Sequence, residues 1–258
     1  MTPRLCTRDL TYSYGGAPVL NGITLDIPDQ QITAVIGPNA CGKSTLLKCL
    51  ARLLRPQSGS VLLDGTSITR QKTRAVARSV ALLPQSAEAP EGMRVADLVA
   101  RGRTPHQSPM QQWSQRDASI VAEALSQVGL SDLADQELSR LSGGQRQRAW
   151  IAMVLAQETD ILLLDEPTTF LDMRFQIDTL KRVEKLQKDR GLTVVMVLHD
   201  INLAARFAAH IVALRNGEII CQGAPETVVT EANVHAIYNL ATQIMPGPVS
   251  GAPYVIPL

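Results

Sequence analysis

Gly37-Pro38-Asn39-Ala40-Cys41-Gly42-Lys43-Ser44 fits the phosphate-binding loop pattern G-x-x-x-x-G-K-[ST] at every fixed position. A strand-like run, residues 31–36 (QITAVI), leads into it, and a helix-like run, residues 45–51 (TLLKCLA), leads out. The loop needs that setting. Backbone N–H groups at a helix start point at bound anions, and the helix dipole favours negative charge there. Gly37 and Gly42 let the backbone bend around phosphate oxygens. Lys43 brings a point charge to the β- and γ-phosphates, and Ser44 offers a hydroxyl to Mg²⁺. The stretch predicts a nucleotide site in a domain of alternating strands and helices.

Outward from the loop that alternation continues. Residues 5–14 and 19–27 read as antiparallel strands joined by a turn at Gly15-Gly16-Ala17-Pro18. Tyr14, beside the turn, reads equally as an aromatic that stacks on a base or as a half-buried strand tyrosine. Residues 60–65 form another strand and turn, and 80–84 an apolar strand that ends at Gln85. Residues 86–157 read as a mostly helical insertion, with Val95, Leu98 and Val99 on one helix face and Ile120, Val121, Ala124, Leu125 and Val128 on another. Between those helices, residues 101–109 are a polar loop. Residues 161–164 and 193–198 are short and wholly apolar, as central strands of a parallel sheet are. Residues 175–188 and 201–209 are helical, and Asn216-Gly217 between two apolar runs signals a hairpin. The tail, with Pro246, Pro248, Pro253 and Pro257, reads as extended. His106 and His235 read as surface or packing residues.

Composition bounds the partners. The 258 residues suffice for one large domain with an inserted subdomain, and 45% of them are hydrophobic. With 25 basic and 24 acidic residues the formal charge is +1, without the basic excess of a nucleic-acid binder. Cys6, Cys41, Cys49 and Cys221 have neither metal-site nor disulfide-framework spacing, which points to a reducing cytoplasmic setting. Residues 2–9 are mixed and charged, unlike a secretory leader. No apolar run approaches the roughly 18–20 residues of a membrane span, so any service to a membrane is expected from outside the bilayer.

Two further motifs carry chemistry. Leu162-Leu163-Leu164-Asp165-Glu166 is an apolar strand ending in two carboxylates. Set beside a phosphate loop, Asp165 is placed to hold Mg²⁺ and Glu166 to deprotonate an in-line water. Leu141-Ser142-Gly143-Gly144-Gln145 leads into a helix over 147–156, a second candidate anion site. Cys41, beside Lys43 at a helix start, is expected to favour its thiolate and to react with thiol reagents. Ala40 suggests that its position does not need a positive φ, or that a small strain is tolerated there.

These three motifs, in this order, resemble the nucleotide-binding subunit of an ABC transporter, and the likeness covers nearly the whole chain. The resemblance implies an α/β fold: a P-loop NTPase (ABC ATPase) core with an N-terminal antiparallel β subdomain and an inserted helical subdomain. The single domain 1–258 would divide into 1–85 and 158–258 for the β subdomain and core, and 86–157 for the helical part. By likeness, Tyr14 stacks on adenine, and Gln85 contacts Mg²⁺ and senses the membrane partner. Asp172 lies in the loop after the acidic motif, and His199 contacts the γ-phosphate. Gly37 through Thr45 would cradle one ATP, with Lys43, Glu166 and His199 in catalytic roles and Ser44, Gln85 and Asp165 on the metal. Two copies would pack head to tail, each ATP lying between one phosphate loop and the other copy's Ser142, Gly143, Gly144 and Gln145.

Residues 101–106 (RGRTPH), 145–153 (QRQRAWIAM) and 248–253 (PVSGAP) narrow the likeness to ferric-siderophore import ATPases, with haem and vitamin B12 import ATPases close by. Such a subunit hydrolyses ATP on the cytoplasmic face of the inner membrane, bound to integral permease subunits and served by a periplasmic or lipid-anchored binding protein, with no nucleic acid involved. Residues 94–113 would dock on the permease. Soluble ABC proteins of ribosomes usually carry two cassettes per chain, DNA-repair relatives carry long coiled coils, and export cassettes are often fused to a membrane domain. None of these patterns occurs here.

Overall fold

From Ile23 to Ile27 alternate residues of the second N-terminal strand are buried, as a half-covered sheet requires. In the computed structural model, which describes residues 3–85, 89–108, 113–169 and 171–258, β1 (Leu5–Tyr12) pairs antiparallel with β2 (Leu20–Ile27). β3 (Ile32–Ile36) runs through the phosphate loop into α1 (Lys43–Leu50). β4 (Ser58–Leu63) returns to the other edge of β1, and β5 (Thr66–Ser67) pairs with β4. α2 (Thr73–Ser79) precedes β6 (Val80–Leu83), and then come α3 (Val95–Arg101), α4 (Gln115–Val128) and α5 (Gly143–Ala156). β7 (Ile161–Asp165), α6 (Met173–Arg190), β8 (Thr193–Val197) and α7 (Ile201–Phe207) restore the alternation. β9 (His210–Arg215), β10 (Glu218–Gly223), α8 (Pro225–Val228), α9 (Glu231–Tyr238), β11 (Thr242–Pro246) and β12 (Pro253–Pro257) complete the chain.

The central sheet has the order β10-β9-β3-β8-β7-β6 and is parallel except for β10. β3, β7 and β8 are buried on both faces, whereas the edge strand β10 is partly exposed along its length. Ile32, Ala34 and Ile36 face one core with Leu162, Leu164, Val194 and Met196, and that core extends into α3, α4 and α5. Val35, Leu163, Val195 and Val197 face a second core, which the antiparallel sheet and α1 close from the other side. Asn216 and Gly217, at φ 51° and 79°, join β9 to β10 as the hairpin signal predicts.

Helix ends follow local chemistry. Ser114 and Asp117 form a reciprocal capping box on α4, which Gly129 ends at φ 68°. Ser142 and Gln145 form the same box on α5, so that helix begins at Gly143, four residues before the periodic run from Gln147. The first strand stops at Tyr12, which leaves Tyr14 in the turn rather than in a strand. In the expected loop, Arg101 ends α3 and Thr104–His106 is a 3-10 turn, whose His106 Nε2–H donates to the Gln157 carbonyl at 2.8 Å. Pro109, and with it 109–112 of the expected docking segment, lies outside the described residues. The proline-bearing tail is extended, but its two halves pair as an antiparallel hairpin. Among the described residues no helix is long and apolar enough to cross a membrane.

Candidate functional site

Gly37 and Gly42 are fixed by space as well as by angle. At Gly37, φ is 144° and a Cβ would lie 2.0 Å from the Leu214 carbonyl oxygen. At Gly42, φ is 105° and a Cβ would lie 2.8 Å from the Val19 carbonyl oxygen. Gly42 caps α1, so the loop turns its N–H groups to the positive end of that helix. Lys43 is buried, and its Nζ donates to the Gly37 carbonyl at 2.9 Å and the Pro38 carbonyl at 2.7 Å. The ammonium is thereby held inside the curl of the loop, where a phosphate can exchange for those carbonyls.

Asp165 is 2% exposed at the end of β7 and accepts a 2.8 Å hydrogen bond from Ser44 Oγ. β7 does not adjoin β3, since β8 lies between them, so this contact spans a strand. Burial raises the Asp165 carboxyl above its ordinary value, against the Ser44 bond, and the neighbouring Glu166 charge adds to the rise. Glu166 lies at φ 53°. Its Oε1 is 2.6 Å from His199 Nε2, and its Oε2 accepts from Gln85 Nε2 at 2.6 Å and Thr169 Oγ1 at 2.9 Å. Burial pushes this carboxyl up, but the bonds from His199, Thr169 and Gln85 outweigh it and hold it below its ordinary value.

Lys43, Ser44, Gln85, Glu166, Thr169 and His199 share a cavity of about 610 Å³ with Tyr14, Asn39, Ala40 and Thr45, and Asp165 backs it through its bond from Ser44. Tyr14 is 61% exposed, its ring edge-on to Tyr12 with centroids 4.9 Å apart and its hydroxyl 3.4 Å from Thr45 Oγ1. Such a face at the cavity mouth is open to a base. Ala40 adopts φ 61°, so of the two readings of that residue the tolerated strain is the one realised. The expectation for Cys41 is overturned. The thiol is 4% exposed, and burial raises it above its ordinary value despite Lys43 Nζ at 3.9 Å.

Two groups of expected residues do not line this cavity. Ser142, Gly143, Gly144 and Gln145 form the capped start of α5, and Asp172 caps α6 by accepting from the Phe175 N–H at 3.0 Å. Phe175 links them, since its ring lies 3.3 Å from where a Cβ on Gly144 would be. Val19 and Thr169 line the cavity without having been singled out in the sequence. Thr169 falls three residues after Glu166, the spacing at which one side chain can reach back across a turn.

The donors suit Mg²⁺. Ser44 and Asp165 supply hard oxygens, yet among the described residues no cluster of three or more His, Cys, Asp or Glu side chains can hold a metal by itself. That deficit matches an ion that takes one or two carboxylates and completes its shell with nucleotide phosphates and water.

Known proteins with the same pattern are numerous. The family model described as ABC transporter matches residues 20–169. The ferric enterobactin transport ATP-binding protein FepC of Escherichia coli (strain K12) is 50% identical over 255 residues, covering 99% of this chain and 94% of that protein. The petrobactin import ATP-binding protein FpuD of Bacillus anthracis is 49% identical over 257 residues, covering 100% and 94%. A metal-chelate type ABC transporter in an inward-facing conformation superposes with a TM-score of 0.86 at 30% identity, over 100% of this chain and 98% of that one. A dimeric ATP-binding cassette, MJ0796, bound to ADP and Pi after hydrolysis, gives 0.75 at 27% identity, over 85% and 98%.

Proposed function

Because the chain belongs to the ABC transporter family, and so is an ATP-binding ATPase, we propose that it powers a binding-protein-dependent importer of ferric siderophores. The observation that carries the cargo is the 50% identity, across nearly both full lengths, to a ferric enterobactin transport subunit. The cavity supports the chemistry.

Lys43 and the N–H groups of residues 37–45 hold the phosphates, and Tyr14 stacks on the base. Ser44, Asp165 and Gln85 would hold Mg²⁺, which would supply positive charge to offset that of the phosphates. Glu166 orients a water and takes its proton, and His199 steadies the charge that develops on the γ-phosphate. Ser142, Gly143, Gly144, Gln145 and Asp172 serve the nucleotide of a second, head-to-tail copy, in keeping with their absence from the lining of this chain's own cavity. Residues 86–157 act as the helical unit that meets the permease, with Gln85 at its root and 1–85 and 158–258 as the catalytic remainder. The subunit sits peripherally on the cytoplasmic face of the inner membrane, and the binding protein acts from the other side.

Reconstitution with its permease in vesicles tests the cargo. A binding protein loaded with ferric siderophore is expected to raise ATP turnover. Stimulation by haem or cobalamin in its place would overturn the siderophore assignment.

A further inference from the structure

Thr169 lines the nucleotide cavity and has no part in the scheme above. Its hydroxyl donates to Glu166 Oε2 at 2.9 Å, and its backbone N–H donates to the Glu166 carbonyl at 3.2 Å. One residue thus closes the turn and grips the carboxylate at the turn's start. Glu166 needs that support, because at φ 53° a residue with a Cβ keeps its conformation only when its surroundings impose it. From outside, Gln147 of α5 donates to the Pro167 carbonyl at 3.1 Å and braces the same turn.

The other two donors to the carboxylate come from elsewhere. Gln85 follows β6, and His199 lies between β8 and α7. Both have work to do on the nucleotide, Gln85 at the metal and His199 at the γ-phosphate. When they take it up, the Thr169 bond is the side-chain contact that stays, among the described residues, because both its partners ride on one four-residue turn.

We propose that Thr169 is the positioning residue for the Glu166 carboxylate. Its hydroxyl fixes Oε2, and this leaves Oε1 to face the attacking water once His199 turns to the phosphate. Misplacing a reacting group by about an ångström can cost a hundredfold in rate, so a single anchor of this kind is worth about tenfold. The inference rests on the assignment of Glu166 as the base.

Steady-state hydrolysis of MgATP by the purified chain tests it. Thr169→Val keeps the volume and removes the hydroxyl; kcat is expected to fall about tenfold while KM for ATP stays within about twofold. Thr169→Ser, which restores the hydroxyl, is expected to recover kcat to within about twofold of the parent. In a Glu166→Gln background the valine substitution is expected to change nothing further, because Thr169 acts through Glu166. If the valine variant proves unstable, the ratio of kcat between Thr169→Ala and Thr169→Ser gives the same reading. Parental kcat in the hydroxyl-free variants, failure of serine to rescue, or a change in KM alone would each overturn the proposal. Parental turnover in Glu166→Gln would instead remove the base assignment. An inactive Glu166→Gln beside a fully active Thr169→Val would remove only the role of Thr169.

Discussion

Ala40 sits in the phosphate loop at φ 61°, where its Cβ crowds the backbone. Glycine there removes the crowding, at a smaller cost in the entropy of the unfolded chain. Ala40→Gly is expected to stabilise the protein by up to about 1 kcal/mol, or roughly 2–4 °C in melting temperature, measured by calorimetry without nucleotide. The residue scale also shows how far a motif reaches. The pattern named Lys43, Ser44, Asp165 and Glu166, and all four meet in one cavity wall or its immediate backing. It did not give the angle at Ala40 or the burial of Cys41, because both depend on how the loop is folded against its surroundings rather than on the motif residues alone. Nor did it give the hydrogen bonds that Gln85, Thr169 and His199 make to Glu166, since these depend on side-chain directions in a folded turn.

At the scale of elements, the polar stretch after α3 reads in sequence as a solvated loop and is in part a buried joint. Arg103 is 2% exposed, and its guanidinium donates to Asp117 Oδ1 at 2.8 Å, to the Ala156 carbonyl at 2.7 Å and to Glu158 Oε2 at 2.8 Å. It ties the ends of α3 and α5 to the start of α4. Arg103→Ala leaves the Asp117 charge buried without its partner and is expected to cost ~3–5 kcal/mol in urea unfolding. Hydrogen bonds from Ser114 and Arg103 hold the Asp117 carboxyl at about 2, below the ordinary value near ~4 that it has when unfolded. Its contribution to stability is therefore complete above pH ~4 and fades as the pH falls through about 2. Melting curves between those limits are expected to lose that component in Asp117→Asn. Periodicity exposed α4 and α6 because each is long and one-sided, whereas α8 escaped because it spans only four residues and α2 because it buries only Val76. The pairing of β11 with β12 escaped because prolines stand at Pro246, Pro253 and Pro257, where they lower any strand reading.

On the scale of the molecule, the strand order places β8 between the loop-bearing β3 and the carboxylate-bearing β7. The alternation in the sequence announced a parallel sheet but not that order, because pairing is decided by which faces the two cores bury. The start of α5 does not line the cavity, and under the proposed function residues 142–145 serve the nucleotide of a second copy. The account then requires Glu166 to serve hydrolysis and not nucleotide binding or association. The direct measurement is Glu166→Gln, followed for MgATP turnover and for solution mass together. The account predicts ATP-dependent association from 28.0 kDa to twice that mass, with turnover at least about a hundredfold below the parent. Parental turnover, or a subunit that stays monomeric with ATP bound, would contradict it.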